Sequence, residues 1–293
     1  MAEIFFDSPM TDAERREALY AGAIFVYRPT AVAREFCTFA DGLIREAFGG
    51  LDPETAQYEL PVERYIEILQ QLKPHFIHHP DSKRYVREIL AERGCDPADT
   101  YFDVPRMRSS TSDGYLTSGI AYAWHPHRDT WYSAPGCQIN WWTPIYPITP
   151  RNGMSFYLEF FDKVVPNDSD GYDYAVWNAK HRFAAASQVK KDTRPLPGPK
   201  NEIDEGKATT LVGEVGGLIV FSAAQLHASV PNDSGKTRFS IDFRTVNLGD
   251  CRAQVGAPAQ DVACTGSSIR DFKRARDLED IPDEVALALE GGA

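Results

Sequence analysis

No stretch of this 293-residue chain is long and apolar enough to span a bilayer, which takes about 20 consecutive apolar residues in a helix. The opening Met1-Ala2-Glu3-Ile4 lacks the basic, then apolar, pattern of a secretory signal, so a cytoplasmic location is expected. Cysteine is sparse. Cys37, Cys95, Cys137, Cys251 and Cys264 are odd in number, widely spaced and never in a CxxC, which implies neither a disulfide framework nor a zinc site. Basic residues are outnumbered: 31 Lys and Arg against 42 Asp and Glu leave a net charge of −11. That is a poor match for nucleic acid, whose binding depends on neutralising phosphates. Internal repeats and low-complexity tracts are missing too. The expected partner is a small molecule, not nucleic acid or membrane, and the chain can be monomer or homodimer.

The hydrophobic pattern changes character along the chain. Thr11-Asp12-Ala13-Glu14 is a capping box opening a short helix, and Ala23-Ile24-Phe25-Val26-Tyr27 is strand-like. Helices are expected over 31–48, 62–72 and 82–93, the second stopping short of Pro74. His75, His78 and His79, flanked by Pro74 and Pro80, therefore belong to a solvated helix end and not to a metal cluster. From Tyr101 onward short apolar runs are broken by Gly, Pro, Asn and Asp, the habit of a β-rich core. The expectation is a β-rich α+β fold in one domain: a mainly helical region over 1–100, a strand-built core over 101–247, and a tail over 248–293 with a helix near 267–278. Within the core, 163–205 lacks strong periodicity. A long insertion of this kind is usually a lid or a disordered excursion, and Tyr172, Tyr174, Trp177 and His181 mark it as a lid.

Against this background two fragments stand out, His127-Arg128-Asp129 and His227. Side chains at i and i+2 of a strand share a face, so His127 and Asp129 can reach one metal. His227 follows the apolar run Gly217-Leu218-Ile219-Val220-Phe221, where a second strand can deliver it to the same place. Two imidazoles and one carboxylate on one side of an ion leave positions open, as in Fe(II) oxygenases and unlike closed structural zinc. His125 shares the parity of His127 and Asp129, which admits a competing HxH arrangement of His125, His127 and His227 or a supporting or substrate-contacting role for His125.

Eleven positions beyond His227 comes Thr237-Arg238-Phe239-Ser240-Ile241-Asp242-Phe243, whose alternation makes it a strand with Arg238 and Ser240 on one face. A planar guanidinium binds carboxylate bidentately, and the hydroxyl two residues on can donate to the same group. Arg244 shares this parity and is the substitute. HxD, a distal His and RxS, in that order and spacing, resemble the Fe(II)/2-oxoglutarate-dependent oxygenases, specifically the phytanoyl-CoA dioxygenase-like family. Similarity spans about residues 101–247, with Trp131 and the turn Thr149-Pro150-Arg151-Asn152-Gly153 adding to it, while Glu159-Phe160-Phe161-Asp162 stands where the family often has Pro-Gly-Ser-His.

That resemblance implies a double-stranded β-helix, a jelly-roll or cupin-like barrel with the helical N-terminal region packed on it. It makes His127, Asp129 and His227 the iron ligands, and gives Arg238 and Ser240 the far carboxylate of 2-oxoglutarate. Asn140 joins them, because Gln138, Asn140 and Trp142 alternate along the strand after HxD. O2 is the third reactant, and the cosubstrate leaves as succinate and CO2 while hydrogen is taken from a small-molecule substrate. Asp129 argues against halogenation, since related halogenases have Gly or Ala there to admit chloride. Hydroxylation is the default outcome, with desaturation or ring closure open. Trp131, Tyr132 and His125 are the candidate substrate contacts, and Arg106, Arg108 and Tyr122 lie near enough to matter. Two other functions remain possible on the residues alone: a cupin-like enzyme without 2-oxoglutarate, for which Arg238 has no use, and a jelly-roll binding protein without catalysis.

Overall fold

The computed structural model describes residues 3–189 and 191–291. Its elements run β1 (Ile4–Phe6), α1 (Asp12–Tyr20), β2 (Ile24–Tyr27), α2 (Ala31–Phe48), α3 (Val62–His78), α4 (Pro80–Glu92), β3 (Thr100–Phe102), β4 (Arg106–Ser110), β5 (Ile139–Pro144) and β6 (Met154–Phe156). There follow α5 (Tyr174–Val176), β7 (Thr209–Leu211), β8 (Leu218–Ser222), β9 (His227–Ser229), β10 (Arg238–Asn247), α6 (Leu248–Ala253), β11 (Lys273–Arg274) and α7 (Asp283–Glu290). The N-terminal third is helical and the remainder strand-built, a mixed α+β architecture. No helix of the described residues is long and apolar enough to cross a membrane.

The helices begin where their caps dictate. Thr11 and Glu14 close a reciprocal capping box on α1, and Thr30 caps α2, which ends at Gly49 in the left-handed region. Pro74 does not stop α3. A proline in a helix interior forfeits one backbone bond, but Leu69, Leu72 and Phe76 are buried on one side of the helix and hold it against the core. The expected stop at 72, before Pro74, is therefore six residues too early. His79 then caps α4, its Nδ1 accepting from Asp81 N at 3.2 Å. The tail also departs from expectation. Over 267–278 there is no α-helix but a 3-10 turn (Ile269–Asp271) and the short β11, which pairs with β3. Ile269, Phe272 and Ala275, all buried, are spaced by three, a spacing that a 3-10 turn and an irregular chain satisfy as well as an α-helix.

The large sheet, eight strands and mostly antiparallel, has the order β1-β2-β8-β5-β10-β3-β11, with β4 extending the β3 side of β10. A smaller sheet, β7-β6-β9, lies on it. Strand alternation gives the large sheet two different faces. Phe239, Ile241 and Phe243 of β10, with Val220 of β8 and Phe25 of β2, join the cluster that takes in Phe36, Leu69 and Phe76 of the helices. On the other face Ile24, Trp142, Ile219 and Phe221 pack against Met154, Phe156 and Leu211 of the small sheet. β10 contributes no residue to this inter-sheet apolar cluster. It presents Arg238, Ser240, Asp242 and Arg244, flanked across the β4 register by Ser110, Arg108 and Arg106, so the space between the sheets is apolar at one end and charged at the other.

Candidate metal centre

His127 and His227 meet through their backbones first. They form a hydrogen-bonded antiparallel pair, with N–H to carbonyl distances of 2.9 and 3.0 Å in the two directions. Such pairing places both side chains on one face, and the ring centroids are 4.3 Å apart. Directly after this bridge the chain enters a 3-10 turn, Asp129–Tyr132, so a bridge and a turn, not a continuous strand, bring Asp129 to the same side. Ligand atoms of His127, Asp129 and His227 all lie within 4.8 Å of one another, and no other group of three metal-binding side chains gathers in this way among the described residues.

The hydrogen-bonding partners decide what each side chain offers. Nδ1 of His127 is 2.8 Å from the His125 carbonyl, and Nδ1 of His227 is 2.9 Å from that of Gln225. A carbonyl can only accept, so each Nδ1 donates and each Nε2 keeps its lone pair for a metal. Burial, followed by the neighbouring His127, lowers the His227 imidazole to about 4. Burial pushes the Asp129 carboxyl up, but His127 beside it, the Arg244 guanidinium and His227 outweigh burial and hold it well below the usual carboxylate range. The set is thus two imidazole nitrogens and one carboxylate, a fit for a divalent first-row ion with positions left open.

The two oxygens of Asp129 have separate surroundings. Oδ1 is 3.5 Å from His127 Nε2. Oδ2 accepts from Gln138 Nε2 at 3.2 Å and lies 3.7 Å from Arg244 Nε. Arg244 in turn donates to Asp103 at 3.0 Å, and Asp103 also pairs with Arg106. Being committed to two carboxylates, Arg244 is no substitute for Arg238 as an anion clamp. Asn140 lies opposite Arg244 in the β5–β10 register, and its Oδ1 accepts from Gln138 at 2.9 Å. This puts Asn140 at the histidine end of the cleft, away from Arg238.

Arg238 has no such commitment. It is 4 % exposed, yet Nη1 donates only to the carbonyls of Asn152 and Gly153, at 3.2 and 3.1 Å, and Nη2 to Ser229 Oγ at 3.1 Å. Its guanidinium stands over the Trp142 ring. Among the described residues it forms no ion pair, and its Nε is buried without a partner, as are the hydroxyls of Ser240 and of Ser110 across the register. Burial lowers the guanidinium to about 10. A buried cation with only neutral acceptors, beside orphaned hydroxyls, leaves donors that an anion could take up. Ser229, which it touches, is two residues along β9 from His227, a separation of roughly 7 Å, comparable with the span of a five-carbon diacid.

Aromatic rings line the other side of the histidines. Trp124 is 5.4 Å from His127 and 5.7 Å from Tyr122, and Tyr132 is 5.6 Å from His127 and 5.3 Å from Tyr172. Tyr172 continues the row to Trp177. The 163–205 segment reaches this wall: the Pro197 carbonyl accepts from Tyr132 OH at 2.8 Å and sits 3.0 Å from His125 Nε2. His125 is therefore turned from the metal cluster, and the HxH arrangement is not formed. Trp131 must be corrected as a substrate contact. It is wholly enclosed with Tyr157, Val165 and Leu226, its indole donating to Asp261. Trp124 escaped notice because it precedes the His125–Asp129 alternation by one position and no regular strand sets its direction; Gln138 was signalled by its alternation with Asn140.

No family model matches this sequence, and no curated protein sequence does either. Three solved structures are similar in outline. EvdO2 from Micromonospora carbonacea var. aurantiaca, complexed with 2-oxoglutarate, shares 14% identity at a TM-score of 0.39, covering 64% of this chain and 66% of its own, so this chain spans just under two thirds of it. The non-heme monooxygenase ThoJ shares 14% at 0.40, over 89% of this chain and 88% of its own. The non-heme alpha ketoglutarate dependent epimerase SnoN from nogalamycin biosynthesis shares 14% at 0.40, over 90% and 100%. Likeness at this level decides nothing about the site.

Proposed function

We propose that this protein is a mononuclear non-haem Fe(II) oxygenase of the phytanoyl-CoA dioxygenase-like family, built as a double-stranded β-helix, that uses 2-oxoglutarate as cosubstrate and oxidises a small molecule. One observation carries the reading. Two histidines present Nε2 beside the Asp129 carboxylate, and a buried arginine without an ion pair touches Ser229, two residues along β9 from His227. A cupin-like enzyme without a cosubstrate gives Arg238 no purpose, and a binding protein gives none to the metal-ready triad.

In this reading His127, Asp129 and His227 hold iron, Gln138 and Arg244 orient Asp129, and Arg238 with Ser240 holds the far carboxylate of 2-oxoglutarate. Asn140 steadies Gln138 at the iron end. Bound iron, with O2 and 2-oxoglutarate, supplies an oxidant that removes hydrogen from a substrate carbon. Hydroxylation then consumes one O2 and one 2-oxoglutarate and releases succinate and CO2. Tyr132 and His125, through Pro197, anchor the 163–205 segment as a cover that keeps water from the iron. Anaerobic titration with Fe(II) and 2-oxoglutarate tests the assignment. A visible charge-transfer band should form in the native protein, vanish in Asp129→Ala and require far more 2-oxoglutarate in Arg238→Met. Iron binding without any band would return the protein to the cosubstrate-free class.

A further inference from the structure

The charges in the cleft do not balance once iron and 2-oxoglutarate are placed, and this remainder rests on that functional reading. Arg106 and Arg244 are matched by Asp103 and Asp129. A divalent metal and a dianionic cosubstrate cancel. Arg238 and Arg108 are then left facing Asp242 alone, so the β4–β10 face keeps one positive charge, in a chain whose net charge is −11. Lys73 lies close by, donating to the Ile120 carbonyl, and burial, then Arg108, lowers its amine to about 7. An uncompensated cation inside a fold is costly unless a ligand carries the counter-charge.

Arg108 is the free group. Its Nε donates to Asp242 at 2.8 Å, which fixes the plane of the guanidinium. Among the described residues neither terminal nitrogen has a hydrogen-bond partner, and the side chain is one-third exposed, at 33%. On β4 it sits opposite Ser240 and between Arg106 and Ser110 on the inner face, so it borders the Arg238 cradle without belonging to it. The Tyr122 hydroxyl is buried without a partner, near the Asp192–Arg194 ion pair and, more weakly, Arg108. Tyr122 stacks on Trp124, which stands against His127. A fork with two free donors, an orphaned hydroxyl and an aromatic row reaching His127 thus lie on the same side of the metal centre.

We propose that the substrate is a small, ring-bearing carboxylic acid whose carboxylate is held by the Arg108 fork and the Tyr122 hydroxyl while its ring lies along Trp124, which turns the far end towards the metal centre. The bidentate match of guanidinium and carboxylate fixes orientation as well as affinity. This second anion subsite is separate from the cosubstrate's, and it predicts discrimination by charge at constant shape.

The test compares 3-phenylpropanoate with its neutral isostere 3-phenylpropanamide, by tryptophan fluorescence on the anaerobic Fe(II) protein with saturating 2-oxoglutarate, which keeps the Arg238 cradle filled. The acid should bind at least about tenfold more tightly than the amide, a difference of about 1.4 kcal/mol. Arg108→Met should erase that preference while the charge-transfer band still forms at saturating 2-oxoglutarate; Arg108→Lys should retain part of the preference. Equal affinities in the native protein, or a preference surviving in Arg108→Met, overturn the proposal. Should Arg108→Met not fold, the native comparison still decides. Absence of the band in the native protein refutes the oxygenase reading instead, and the same two probes on the metal-free protein then judge the carboxylate subsite alone.

Discussion

Arg238 and Arg244 share one face of β10, six residues apart, the first buried and the second half-buried, yet replacing each by methionine should have different consequences. For Arg238, burial lowers the guanidinium to about 10, equivalent to roughly 3 kcal/mol against keeping the charge inside. Methionine removes that penalty and forfeits three hydrogen bonds to neutral acceptors, worth about 1 kcal/mol each. The two nearly cancel, so the metal-free protein should change stability by no more than about 1 kcal/mol, a few degrees in Tm. Arg244 is different, because its loss strands Asp103 and Asp129. Breaking a buried pair costs about 3–5 kcal/mol, or roughly 10 °C for a chain of this size. Ligand linkage reverses the comparison for Arg238. At a hundredfold excess over Kd, 2-oxoglutarate should stabilise the native iron protein by about 2.7 kcal/mol. Loss of two charge-assisted bonds in Arg238→Met, about 1.5 kcal/mol each at the low end, should weaken binding about a hundredfold and leave under about 0.5 kcal/mol of that effect. Circular-dichroism melts, metal-free and with anaerobic Fe(II) and 2-oxoglutarate, measure both quantities. The reasoning fails if Arg238→Met loses as much stability as Arg244→Met, or keeps the 2-oxoglutarate-dependent rise in Tm.

Two shorter predictions accompany it. His227 is lowered from its ordinary value of 6.5 to about 4, so between those pH values the unfolded chain binds the extra proton. Stability of the metal-free protein should therefore be full above pH 6.5 and fall by up to about 3 kcal/mol towards pH 4; urea midpoints across that range should flatten in His227→Gln, and an unaltered slope would remove His227 as the cause. Trp131→Ala should cost about 3–5 kcal/mol through its cavity and uncouple Asp261, measured by urea denaturation, whereas a surface-exposed substrate contact would lose almost nothing.

The strongest sequence signals were the ones with a short physical range. Capping at Thr11 and the alternation of β10 are local, and both were legible because a cap or a pleat needs only a few neighbours. The stop before Pro74 failed because tertiary burial of Leu69, Leu72 and Phe76 outweighs one lost backbone bond. The 267–278 helix failed because spacing by three does not distinguish an α-helix from a 3-10 turn. The triad was legible as residue types. Its geometry was not, since Asp129 comes round by a turn and the tautomers depend on carbonyls of His125 and Gln225. What orients Asp129 lay further out of reach: Asp103 and Arg244 are 141 positions apart, and a single sequence carries no mark of such a pairing.

The two faces of β10 explain why helices that supply no metal ligand still belong to the site. On the inner face the strand and its neighbour β4 hold Arg238 Nε, Ser240 Oγ, Ser110 Oγ and Asp242 Oδ1 away from water without partners, and each such group costs about 1–3 kcal/mol until a ligand satisfies it. On the outer face Phe239, Ile241 and Phe243 are almost wholly buried, each worth about 1.5–3 kcal/mol. The terms are of the same order and opposite sign, and alternation within one strand binds them together: a register that buries the phenylalanines against Phe36, Leu69 and Phe76 necessarily points the arginines into the cleft. An unsatisfied polar cradle can thus be held open without ligand only because the helical layer grips the other side of the same backbone.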